Sequence, residues 1–258
     1  LRPHHGLRPR ARRGARGPDA PAHRPYTERD PFHDPLVMFA HLAAITERIG
    51  FATGVLILPQ RQTALLARQA ADVELLSGGR LRLGVGVGWS QVEYEALGQD
   101  FRTRGAREEE QIELLRRLFT EPVVDFAGRF DRVDRAGLMP RPAGPIPIWL
   151  GGFGDAAFDR AARLGDGFIF LGRAARNIDA WKQLRDRVSD AGRRPAEFGG
   201  EHVALPQRDV RELAAEIEAW REAGGTHASV VTMGLGLGSA VDAHLEYLAS
   251  VAQALGRP

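Results

Sequence analysis

The sequence has no cysteine among its 258 residues, which excludes disulfide frameworks, thiolate zinc centres, iron–sulfur clusters and cysteine nucleophiles. Lysine is nearly absent as well: every basic residue except Lys182 is arginine, a bias that reads as GC-rich codon usage. No apolar run approaches the roughly 18–20 residues that cross a bilayer, and the first segment has no apolar core of the kind a secretory leader needs. These absences predict a cytoplasmic protein with no membrane partner. No serine sits in a G-x-S-x-G elbow, and no histidine shows H-x-x-x-H or carboxylate spacing suited to zinc, so no metal site is expected. With neither a nucleophile nor a metal set in view, any chemistry is expected from a bound cofactor.

What is present is unevenly spread. The net charge is +2, but residues 1–25 carry seven arginines against Asp19 alone, leaving −4 for residues 26–258. An Arg-rich arm suits phosphates. No aromatic interleaves these arginines to stack bases, however, so a disordered tail with no nucleic-acid partner is the expectation for residues 1–25. The rest, residues 26–258, reads as one globular domain, in keeping with 43% hydrophobic and 26% charged residues overall.

From Tyr26 onward short apolar runs alternate with amphipathic stretches. Asp34-Pro35 opens a helix that ends near Gly50, and FATGVLIL (51–58) is a strand stopped by Pro59. A helix over 63–77 closes at Gly78-Gly79, a strand follows over 80–88, and a helix over 105–119. Residues 120–146 break the rhythm with a turn at Ala127-Gly128 and a run of prolines, predicting a hairpin and an extended insertion. Strands at 146–152, 167–171, 199–205 and 227–233 then lead into helices at 156–164, 177–191, from Asp209, and 240–255. Six apolar strands, each followed by a helix, mean a parallel sheet covered by helices. A doubly wound sheet and an eight-fold barrel both fit. Glycines at strand ends (Gly86 and Gly88; Gly151, Gly152 and Gly154; Gly172) favour the barrel, whose C-terminal rim builds sites from such ends. Six strands fall two short of a closed barrel, and the missing pair would precede Tyr26.

Two glycine segments carry chemical content. RLRLGVGVGW fails the G-x-G-x-x-G spacing at Trp89, and reads equally as a close approach to a phosphate or ring and as tight packing. In IWLGGFGDAAF a strand ends in Gly151-Gly152-Phe153-Gly154 just before a helix. Free N–H groups there make an anion site, for which Asp155 as N-cap would compete. His33 and Arg61 sit in loops and are functional candidates, with a plain surface residue the favoured reading for His33, and Asp166-Gly167 reads as a turn.

The runs GVLILPQRQTALLARQAADVELLSGGRLRLGVGVGW, GLMPRP–IPIWLGG and AARLGDGFIF resemble the bacterial luciferase-like oxidoreductases over about residues 26–255. They are most similar to the branch that uses the deazaflavin coenzyme F-420. The resemblance implies an α/β fold, a TIM (β/α)8 barrel of the luciferase-like type with an insertion near 120–146. It also implies hydride or two-electron chemistry on a small organic substrate, with coenzyme F-420 as cofactor or FMN as the alternative, and leaves room for a homodimer. Carried over by position, Gly54-Val55 lies where such enzymes often have a strained, sometimes cis, peptide behind the ring. Gly86, Gly88 and Trp89 fall at the next strand end, and Gly151, Gly152, Phe153 and Gly154 match the phosphate-side loop. Some relatives hold an acidic catalytic residue where Trp89 stands, so their sugar-phosphate chemistry does not transfer and no catalytic residue is assigned. The family's Asp-His pair at the second strand has no in-frame equivalent. A one-base shift of codons for Leu1-Arg2-Pro3-His4 can read Tyr-Asp-His, so residues 1–25 are expected to be a mistranslated start. The competing expectation is a non-catalytic, N-terminally truncated barrel remnant without a complete cofactor site.

Overall fold

The computed structural model describes residues 32–256, so the Arg-rich segment 1–25 lies outside the described residues. The chain divides into two units, Leu1–Pro147 and Ile148–Pro258.

In the first unit, Asp34 caps α1 (Pro35–Ile45), its carboxylate accepting from the Leu36 and Val37 N–H groups at 3.0 and 3.3 Å. Pro35 follows where a missing N–H costs nothing. Arg61 pairs with the same carboxylate at 2.8 Å, which gives this loop arginine a structural partner. Burial alone raises the Asp34 pKa, but the Arg61 guanidinium and the two backbone donors outweigh it and hold the carboxyl below its ordinary value. The helix stops well before Gly50, contrary to the sequence expectation. Arg80 takes the carbonyls of Ala43 and Thr46 at 3.3 and 2.8 Å, so the last turn is captured from outside.

The run 51–58 is also not one strand. It splits into β1 (Phe51–Ala52) and β2 (Leu56–Ile57), both parallel to β3 (Leu81–Gly86). Ala52 faces Arg82 and Leu56 faces Val85, so four steps on one side match three on the other: the strand bulges. Within the bulge the Thr53 hydroxyl bonds both the carbonyl and the N–H of Gly84, at 2.7 and 2.9 Å. Helix α2 (Thr63–Ser77) buries Leu66, Ala70 and Val73 and ends at Gly78, whose φ of +67° only glycine adopts freely. A short α3 (Gln91–Ala96) buries Tyr94, and α4 (Arg104–Thr120) buries Ile112, Leu115 and Phe119. The hairpin of β4 (Val124–Ala127) and β5 (Arg132–Ala136) is antiparallel. Its turn is pinned by Glu110, which accepts from the N–H groups of Arg129, Phe130 and Asp131 at 2.7–2.8 Å.

The second unit is a regular βα succession: β6 (Ile148–Gly151), α5 (Asp155–Leu164), β7 (Gly167–Gly172), α6 (Ala174–Asp190), β8 (Gly199–Ala204), α7 (Val210–Glu222), β9 (His227–Val230) and α8 (Val241–Ala254). The strands lie parallel in the order β6-β7-β8-β9. On one face Trp149 lies over Gly167 and Gly199, where an added Cβ would come within 2.5 and 2.1 Å of the indole. On the other, Phe158, Phe168, Phe170, Trp181 and Trp220 form an aromatic layer against the helices. Asp166 is more than a turn residue, because its carboxylate accepts from the Ile148 N–H at 2.8 Å and so helps align β6 with β7. The last strand is shorter than 227–233: pairing stops at Val230, and Met233 is exposed. Among the described residues no helix is long and apolar enough to cross a membrane.

Candidate functional site

In the first unit Gly54 and Val55 lead into β2, while Gly86 ends the neighbouring β3 and Gly88 and Trp89 follow it. The Gly54–Val55 peptide is cis, and a Cβ at Gly54 would meet nothing within 4 Å. Ile57 pairs with Gly86, and its side chain continues across Gly88, which has φ +65° and would place a Cβ 2.9 Å from it. Glycine at 88 therefore has a packing reason as well as an open strand end. Trp89 presents a half-exposed indole directly beyond. Tyr94 braces this end by donating its hydroxyl to the Val87 carbonyl at 2.6 Å. Burial pushes the Tyr94 pKa well above the ordinary phenol value, aided by Glu108, so this hydroxyl serves as a donor and not as a base.

In the second unit Gly151 ends β6, and Gly152, Phe153 and Gly154 lead into α5. Asp155 does not cap this helix. Its carboxylate, with that of Asp159, is drawn sideways to Arg187 on α6, and the cap position falls to Gly154 at φ +80° with no side-chain cap. The competition expected from the sequence is thus removed, and the helix start is left to other anions. Below it lies a cleft lined by Gly152, Gly154, Phe158, Phe170, Arg176 and Asn177. Two of its lining residues, Arg176 and Phe153, are exposed. Asn177 is buried, with its Nδ2 2.8 Å from Nδ1 of the fully buried His202.

Sequence reading missed Arg176, Asn177 and His202. A signal for Asn177 existed: it lies four and seven residues before Trp181 and Leu184, on the buried stripe of α6. The expected helix start at 177 hid that face. His33 is exposed and joins neither cluster.

The sequence profile described as luciferase-like monooxygenase matches residues 20–230. An uncharacterized protein of Mycobacterium tuberculosis is 40% identical over 169 residues, covering 64% of this chain and 58% of that protein. An F-420-dependent glucose-6-phosphate dehydrogenase of Nakamurella multipartita is 35% identical over 59% of this chain and 47% of its own length. An FMNH(2)-dependent dimethylsulfone monooxygenase of Pseudomonas fluorescens is 32% identical over 73% of this chain and 52% of its own length. The chain therefore spans about half the length of the curated relatives it matches. The solved structure of an F-420-dependent secondary alcohol dehydrogenase, bound to an F-420–acetone adduct, superposes with a TM-score of 0.71 at 16% identity. That superposition covers 85% of this chain and 84% of the other, a likeness of fold. The chain belongs to the luciferase-like monooxygenase family, with that family's TIM-barrel type of fold.

Proposed function

We propose that this chain is a flavin- or deazaflavin-dependent oxidoreductase that holds the cofactor's phosphate in the cleft of its second unit. The observation that carries this is the start of α5: a glycine-led helix without a side-chain cap, in a cleft that Arg176 also lines. The donor set suits an anion, and Gly154 leaves open the space a side chain would fill. Coenzyme F-420 is the first assignment and FMN the second, each supported by a relative more than 30% identical. Bound there, such a cofactor supplies two-electron transfer with a small organic substrate. The protein's part is to bind: the first-turn N–H groups and Arg176 meet the phosphate. Gly54, Val55, Gly86, Gly88 and Trp89 remain proposed cofactor-binding residues, and no catalytic residue is assigned. In a fluorescence titration Gly152→Val is expected to weaken cofactor binding by about 1–3 kcal/mol, the cost of unmade charge-assisted hydrogen bonds. A variant that melts like the parent and binds as tightly would overturn the assignment.

We further propose that the barrel is completed by two more βα units alongside β9. Among the described residues β9 pairs with β8 alone, and α8 exposes Val241, Leu245 and Leu248 on one stripe. An open parallel edge beside an apolar helix face calls for cover by another unit. A chain lengthened by two such units ahead of residue 26 is expected to melt cooperatively and to bind cofactor, while residues 1–258 alone aggregate. A cooperative melt and micromolar cofactor affinity from residues 1–258 alone would contradict this.

A further inference from the structure

Behind the cleft of the second unit sits a buried polar chain. His202 on β8 has no exposed surface, and its Nδ1 lies 2.8 Å from Nδ2 of Asn177, which lines the cleft from α6. Its other nitrogen, Nε2, has no hydrogen-bond partner and faces the Glu216 carboxylate on α7 at 3.9 Å. A buried ring nitrogen without a hydrogen-bond partner is costly, so the orientation of the ring calls for an explanation.

The electrostatics select one arrangement. A lone pair on Nε2 would face a carboxylate and be repelled, whereas an Nε2–H is attracted to it. The neutral ring then carries its proton on Nε2 and presents a lone pair at Nδ1. That lone pair can accept only from the amide nitrogen of Asn177, not from its oxygen. The amide is therefore held with nitrogen at His202, one N–H spent there and the second left to donate. Burial lowers the His202 pKa, so the ring stays neutral and keeps this polarity at physiological pH.

We infer that Glu216 and His202 are positioning residues that preset the Asn177 amide as a donor for the anion bound in this cleft. The inference rests on the phosphate-binding reading above. It adds a determinant that distinguishes phosphate-bearing ligands from their dephosphorylated counterparts.

The test compares FMN with riboflavin, and coenzyme F-420 with its phosphate-free deazaflavin core, by fluorescence titration of the full chain. His202→Phe keeps an aromatic ring but removes the acceptor. It is expected to weaken binding of the phosphate-bearing member of the bound pair about tenfold and to change the phosphate-free member less than twofold. Glu216→Gln, at a part-exposed position, is expected to give a smaller loss of the same selectivity without a change in melting temperature. Imidazole nitrogen NMR of the parent protein, needing no cofactor, is expected to show the Nε2–H tautomer of His202. An Nδ1–H tautomer, or equal losses for both members of a pair, would overturn the inference. If Gly152→Val spares the phosphate preference too, or the parent has none, the underlying phosphate reading falls with it. If Gly152→Val abolishes that preference while both His202→Phe and Glu216→Gln retain it, only the positioning role falls.

Discussion

Replacing Trp181 with alanine is expected to remove about 3–5 kcal/mol of stability, the range for emptying a buried tryptophan site. Trp181 is 1% exposed at the middle of the aromatic layer. Its ring centroid lies 5.9 Å from Trp220 and 6.1 Å from Phe170, and it stacks on Phe198 at 6.2 Å. It also rests on the backbone of β8 at Gly200, where an added Cβ would stand 3.1 Å from the indole. Alanine leaves a void bounded by rigid rings and a strand, which cannot collapse cheaply. One term opposes the loss. The indole Nε1 is buried with no hydrogen-bond partner, a cost of about 1–3 kcal/mol that either substitution relieves. Trp181→Phe, which keeps most of the ring contacts and discards the orphaned donor, is therefore expected to lose much less than Trp181→Ala. Denaturant midpoints at constant slope give both numbers. Equal losses for Phe and Ala would mean that the layer does not depend on ring volume at this position.

What could be read from the sequence follows the range of the interactions involved. Asp34, Asp209 and Gly78 announce helix ends because capping is local, acting over two or three residues. The apolar strands of the second unit are legible for the same reason: burial on both faces leaves its mark on every residue. The break at Thr53 was not legible, because its cause is Gly84, 31 residues away. Nor was the fate of Asp155, which depends on Arg187 across two helices. The candidate site divides similarly. Its glycines are visible because they report on backbone approach, whereas Asn177 acquires meaning only from His202, 25 residues further on.

Arg80→Lys is expected to destabilise the first unit nearly as much as Arg80→Ala, by about 2–4 kcal/mol, since most of the charge-assisted hydrogen bonds are lost either way. The Arg80 guanidinium spends all three nitrogens. Nε donates to the Ser77 carbonyl at 2.5 Å, and Nη1 to the Ile49 carbonyl and Thr46 Oγ1 at 2.6 and 3.1 Å. Nη2 reaches the carbonyls of Thr46 and Ala43 at 2.8 and 3.3 Å, and the group lies 5.0 Å from the Phe51 ring centroid. Apart from the Thr46 hydroxyl, these acceptors are carbonyls in or just beyond the last turns of α1 and α2, groups that no helix can satisfy by itself. A lysine ammonium is one point with three donors, so it cannot span acceptors on both sides of the corner. At least two carbonyls lose their partner, and the chain from Thr46 to Gly50 is no longer held against the start of β3. Because the Phe51 N–H pairs with the Arg80 carbonyl at 2.8 Å, β1 begins at that same corner and its entry into the Gly54–Val55 segment depends on it. Hydrogen exchange should therefore quicken first in α1 and β1, with the centre of α2 protected until global unfolding. A lysine variant with parental melting and unchanged α1 exchange would show that solvent, and not Arg80, satisfies those carbonyls.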